Sequence, residues 1–288
     1  MWEILQTPEL ERALLIAIIA GPIMGLLGTF ITLRGMAFFS DAISHAALTG
    51  VGLGIALRLA NDVYGTGMQL VLIVFCCLVG LMMAWLFERT SLRADTVIAF
   101  SYSGAVALGV ILISQLKGYQ SLEGVLFGEI LFASNEDVWM ILGLSVVVLA
   151  FLLLNMKALL LCVVHEDLAR IAGINIRRLN YLFVLLIALV IGFLLQQLGA
   201  LLVSGLIVIP AAASRMVDTS FRQMLLLSAA FGLLAGALGI VASAQFNLPT
   251  GPTIVLSNVA FLIIAMVLGA AVGRGKLVRP GTSQLDRV

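Results

Sequence analysis

Charge is what this sequence has least of. Only 11% of its 288 residues are Asp, Glu, Lys or Arg, against about 25% in soluble domains, while 62% are hydrophobic. With a mean hydropathy of +1.17, this excludes a soluble globular domain and identifies an integral membrane protein. The 16 basic and 15 acidic residues nearly cancel. They form no basic tract with interleaved aromatics, so nucleic acid is not an expected partner. Cysteine is scarce as well: Cys76 and Cys77 lie inside an apolar run, Cys162 stands alone, and no CxxC occurs. A disulfide framework and a zinc ribbon are therefore unsupported. No GxxxxGK[ST] supplies a phosphate-cradling loop, and no HExxH marks a zinc protease. No row of arginines suggests a voltage sensor. The opening "MWEILQTPELERALL" has no basic n-region, so the first apolar segment is expected to be retained.

What is present is a series of apolar runs. A bilayer-crossing helix needs about 20 mostly apolar residues. Nine runs qualify, at roughly 12–33, 36–57, 67–87, 94–116, 136–156, 179–198, 200–214, 221–242 and 253–272. The predicted class is all-α, a polytopic transmembrane helical protein forming one domain over 1–288. The run at 200–214 is short, and Pro210 makes it a candidate for a broken span. With the N-terminus outside and the C-terminus cytoplasmic, the inner connections and the tail at 273–288 hold 13 of the 16 Lys and Arg. Only Arg12, Arg58 and Lys117 fall outside. That segregation is the positive-inside pattern.

Two connections are long. The outer one, 117–137, contains "GVLFGEILFA", too short to span and suited to a short helix at the outer surface or in the mouth. The inner one, 157–178, contains "HEDLARIAG", which reads as a short helix with acids in its first turn, Arg170 later and Gly173 as its stop. Small residues recur at helical spacing in Gly21/Gly25, Gly50/Gly54 and Gly232/Gly236. Such pairs let helix backbones approach closely, within a subunit before between subunits.

Against this background two residues stand out. Asp41 and His45 lie four apart on the second predicted span, so they share a face one turn apart. An ionised aspartate at mid-helix costs about 2.5–3.5 kcal/mol on insertion scales and is normally partnered and turned towards a cavity. The pair is open to three uses: an incomplete site for a transition-metal ion, a proton relay, or a buried hydrogen bond joining helices. Asp95, at a predicted helix start, is read as a cap-region residue with no transport role. His165, beside Glu166 and Asp167, is read as surface.

The stretch "LRGMAFFSDAISHAALTGVGLG" (33–54) resembles the signature region of bacterial ABC-transporter permeases for zinc, manganese and chelated iron. In order along the chain, "LFGEIL" with "NED" (126–137), "DLARIAG" (167–173), "LGALLVSGLIVIPAAASRM" (198–216) and "NLPTGPTIVLSNVAF" (247–261) are similar to the later segments of the same family. Ser101, Tyr102 and Ser103 stand where some zinc-type members carry a histidine. The resemblance implies a transport subunit with no enzymatic activity of its own and no permanently bound cofactor. Its cargo would be zinc or manganese before iron. It implies four kinds of partner: a dimer of cytoplasmic ATP-binding subunits, a second permease subunit, an extracytoplasmic metal-binding protein, and membrane lipid. It places the transported ion at Asp41 and His45, an outer gate around Phe127, Glu129 and Phe132, and ATPase coupling at Asp167, Ala169, Arg170 and Gly173. The alternative is a proton-coupled secondary metal transporter using the same pair as its relay.

Overall fold

A computed structural model describes residues 7–57, 65–115, 126–128, 130–217 and 220–271. The described residues form helices α1 (Pro8–Leu33), α2 (Ala37–Ala56), α3 (Thr66–Arg89), α4 (Ala94–Gln115), α5 (Asn135–Val164), α6 (Glu166–Ile171), α7 (Ile176–Val217), α8 (Phe221–Phe246) and α9 (Thr250–Ala271). A 3₁₀ turn, Ile130–Phe132, precedes α5. Eight of these helices are long and apolar enough to cross a membrane, α6 being the exception. Local chemistry sets several boundaries. Pro8 opens α1, where its missing N–H is no loss, with Glu9 and Glu11 in the first turn. Ser134 and Asp137 form a capping box at the start of α5. Asn247, in the left-handed region, ends α8.

Two predicted spans, 179–198 and 200–214, share the single element α7. At 42 residues a straight helix would be about 63 Å long, twice the roughly 30 Å of a hydrocarbon core. It is not straight. Near its start, Asn180 accepts a hydrogen bond from Arg34 Nη1 at 2.9 Å, and Phe183 meets Phe30 edge-on at 6.4 Å. Just past its other end, Phe221 packs on that same Phe30 at 5.7 Å. Both ends of α7 therefore lie at one end of the bundle. The reversal is at Gly199, whose φ of 76° and ψ of 159° are the non-helical values inside the element. With the two limbs of α7 counted separately, the eight long helices account for all nine predicted apolar runs. Pro210 does not break the chain: it sits inside the second limb, which runs on through Val217. A proline removes one backbone hydrogen bond, and a membrane helix packed among neighbours tolerates this.

Two further boundaries differ from expectation. The helix predicted over 136–156 continues to Val164, because "ALLLCVV" after Lys157 is still apolar and a lysine near a helix end reaches out to the interface. The inner connection shrinks accordingly to residues 165–175, carrying α6. The expected tail at 273–288 lies outside the described residues.

Contacts across the bundle define its two faces. The Arg34 face gathers Arg34 with Asn180 and Glu88 with Arg177 at 2.7 Å. At the opposite, Gly199 face, Gln197 Nε2 donates to Asp137 Oδ1 at 3.1 Å. Helix packing is closest where side chains are absent. A Cβ on Gly21 would lie 2.5 Å from the Gly232 carbonyl oxygen, and Ser228 Oγ donates to the Gly25 carbonyl at 2.7 Å. The small-residue pairs of α1 and α8 thus pack on each other within one chain, and Gly50 and Gly54 pack on Phe75 and Met68 of α3.

Candidate functional site

Helix α2 is the element that carries the site. Its alanines, glycines and hydroxyl residues pack on three neighbours, and most of its length is buried. Ser40 and Ser44 satisfy their hydroxyls on their own helix, on the carbonyls of Ala37 at 3.2 Å and Ser40 at 2.8 Å. They make no demand on the space beside them. Asp41 and His45 project together: Oδ1 of Asp41 is 3.5 Å from Nε2 of His45, and their side chains are 39% and 21% exposed. Ser204, on the second limb of α7, interacts with the Asp41 carboxylate.

The neighbour that shapes the site is α4. In its far half α2 is clamped to α4: Thr49 Oγ1 donates to the Ala105 carbonyl, and a Cβ on Gly109 would lie 2.8 Å from the Thr49 backbone nitrogen. One turn closer to the Arg34 face, His45 meets the Tyr102 ring edge-on at 5.6 Å. Below that contact the helices part. A cavity of about 320 Å³ opens between them, lined by Phe38, Asp41, Ala42, Asp95, Ile98, Ala99 and Tyr102. Asp41 therefore adjoins open space, with the His45–Tyr102 contact lying on the side of the Gly199 face. One carboxylate and one imidazole are an incomplete donor set. Among the described residues no group of three His, Cys, Asp or Glu converges, so one chain offers at most a weak hold on an ion.

The other sequence-predicted residues lie elsewhere. Phe127 and Phe132 line a separate cavity of about 190 Å³ with Gly128, Ile130 and the start of α9 at Pro249, Thr250 and Gly251. They are brought together at the Gly199 face and do not share the cavity of Asp41. Glu129 lies outside the described residues. Asp167, Ala169 and Arg170 are on α6, with Gly173 just beyond. Arg170 Nη2 donates to Glu166 Oε1 at 2.8 Å, which holds the exposed guanidinium above its ordinary pKa. Ala169 is fully buried and seats the helix, whereas Leu168 and Ile171 are 50% and 82% exposed. Gly173, at φ 76°, turns the chain into α7. His165 is exposed beside α6.

Sequence reasoning set Asp95 aside, and the structure returns it to the wall of the Asp41 cavity. It does begin α4 as expected, in the first turn. The pairing of α2 with α4 is what brings it in, and nothing in the sequence announces which helices are neighbours.

Comparison with known proteins follows the same outline. The family model described as the ABC 3 transport family matches residues 6–269. The manganese import system permease protein ScaB of Streptococcus parasanguinis is 35% identical over 259 residues, covering 90% of each chain. The chelated iron transport system membrane protein YfeD of Yersinia pestis is 31% identical, covering 90% of this chain and 85% of the relative. Among solved structures, PsaBC from Streptococcus pneumoniae in complex with Fab superposes with a TM-score of 0.77 at 33% identity, covering 90% of this chain and 91% of that one.

Proposed function

From the premise that this chain belongs to the ABC 3 transport family, and so is a multi-pass inner-membrane transport subunit without enzymatic activity, we propose that it is the permease of an ATP-driven importer of divalent transition-metal ions, manganese first and zinc second. The carrying observation is the Asp41–His45 pair, one helix turn apart, with Asp41 bordering a cavity in the helix bundle. Carboxylate oxygen and imidazole nitrogen suit Mn²⁺ and Zn²⁺ and hold alkali cations poorly. Manganese is placed first because the relatives include manganese import permeases.

A donor set this small suits transport, since the ion must leave again. It also favours a second permease copy. An Asp41 side chain 39% exposed and turned towards lipid would cost about 2.5–3.5 kcal/mol; a partner subunit over this face removes that cost and adds donors. Arginine and lysine orient the assembly. Arg34, Arg89, Arg93, Arg177 and Arg215 adjoin the Arg34 face while Arg12 stands at the other end, so the Arg34 face is cytoplasmic and the start of α1 is outside. The exposed Leu168 and Ile171 of α6 then face the cytoplasm, where a dimer of ATP-binding subunits docks. Metal handed over by an extracytoplasmic binding protein enters at the Gly199 face past Phe127 and Phe132. It pauses at Asp41 and His45, and leaves inward when the ATP-driven cycle opens that side.

The test is uptake of Mn²⁺ and Zn²⁺, each competing with the other, into vesicles carrying the permease with its ATP-binding partner. Asp41→Ala and His45→Ala are expected to abolish uptake while the complex still assembles. Undiminished uptake in both variants removes the metal site. Uptake that needs a proton gradient and no ATP replaces this function with the proton-coupled one.

A further inference from the structure

We infer that Asp95 is a second acidic station for the ion on its way from Asp41 to the cytoplasm. This rests on the metal-transport function and extends it along the chain's own geometry.

The inference starts from helix register. Phe38, Asp41, Ala42 and His45 are spaced i, i+3, i+4 and i+7 on α2, and Asp95, Ile98, Ala99 and Tyr102 repeat that spacing on α4. Such positions form one stripe along a helix. The two stripes face each other across one cavity, joined at the top by the His45–Tyr102 contact. Along a helix each residue rises about 1.5 Å, so Asp95 lies about 10 Å below Tyr102, and Asp41 about 6 Å below His45. The acids are therefore staggered. An ion released by Asp41 meets Asp95 without leaving the cavity. The lower end is open: the Asp95 side chain is 67% exposed and Phe38 is 71% exposed.

The lower acid is also available. Its charged neighbour is Arg93, whose Nη2 is 3.9 Å from Asp95 Oδ2, on a side chain 87% exposed. A pair this long and this wet is weak, so a divalent ion can displace the arginine and the arginine can return once the ion has left. The remaining lining is apolar or neutral: Ile98 and Ala99 on α4, Phe38 and Ala42 on α2, with Tyr102 above. A descending ion finds no other charge in that wall.

The helix dipole is the competing explanation for an acid in the first turn of α4. At a position this exposed the charge–dipole contact is weak, so asparagine would leave uptake unchanged on that account, whereas it removes the charge that attracts an ion. In vesicles carrying the complete transporter, with Mn²⁺ as the probe, Asp95→Asn is expected to lower maximal uptake about tenfold with the KM for external Mn²⁺ unchanged, since entry occurs at the other face. Asp95→Glu is expected to restore uptake. Asp95→Lys places a cation in the exit and is expected to stop uptake, while the purified complex elutes as wild type because the position is exposed. Wild-type uptake by Asp95→Asn and Asp95→Lys, with Asp41→Ala inactive in the same preparation, overturns the role of Asp95 and leaves the metal function standing. Wild-type uptake by Asp41→Ala brings down the function on which it rests.

Discussion

Replacing Gly199 by alanine perturbs the one residue at which α7 turns back. Two penalties combine there. The backbone sits at φ 76° and ψ 159°, a region almost confined to glycine, where another residue costs on the order of 1–3 kcal/mol. The new methyl would also overlap the backbone of Phe127 and Gly128 and lie 2.7 Å from the Leu126 carbonyl oxygen. Carbon and oxygen normally come no nearer than about 3.3 Å, so two backbones must separate by roughly half an ångström or more. Overpacking of this kind costs about 1–3 kcal/mol, for a total of about 2–6 kcal/mol. Gly173 supplies the control. Its φ is also 76°, yet nothing stands within 4 Å of the added carbon, so Gly173→Ala carries the conformational penalty alone, about 1–2 kcal/mol. The assay is the midpoint of heat-induced aggregation of the two detergent-purified variants, read from the surviving monodisperse peak. Stability is the better readout because Gly173 adjoins α6, the proposed docking helix, and uptake would mix two effects. Gly199→Ala is expected well below Gly173→Ala, which sits slightly below wild type. Equal midpoints, or the reverse order, would refute the claim that the reversal rests on backbone-to-backbone contact.

Two more variants probe other parts of the molecule. Leu168→Glu together with Ile171→Glu places charge on the two exposed apolar residues of α6; co-purification with the ATP-binding subunit is expected to be lost while the permease alone keeps its thermal midpoint. Gly232→Leu forces a side chain into the Gly21 backbone, and the yield of folded monomer is expected to collapse; a variant that folds normally but no longer dimerises would instead place this contact between subunits.

Much of this architecture is legible in residue order because a bilayer imposes length and polarity on every crossing. The apolar runs mark the helices, and the basic residues cluster where the structure puts one face. Asp41 and His45 could be singled out because an acid four residues before a histidine is conspicuous on an apolar helix. Three features are less legible. Pro210 attracts attention as a breaker, yet tertiary packing holds it in a helix while an unremarkable glycine makes the turn. Lys157 looks like an end, yet its long side chain lets α5 continue. Asp95 looks like an acid placed for a helix start, and it does lie in the first turn of α4; its place beside Asp41 depends on α2 and α4 being neighbours. That adjacency comes from Gly52 and Gly109 fitting against Leu112 and Thr49, a match of shape between segments distant in sequence.

The doubling back of α7 has one more consequence. Counting long helices alone gives an even number, which would return the chain to the compartment it started from. The hidden turn makes the count odd. If both limbs of α7 cross, as proposed, a label joined before Pro8 and another joined after Ala271 are expected across the bilayer from one another, and a membrane-impermeant reagent added to sealed cells is expected to reach only one of them.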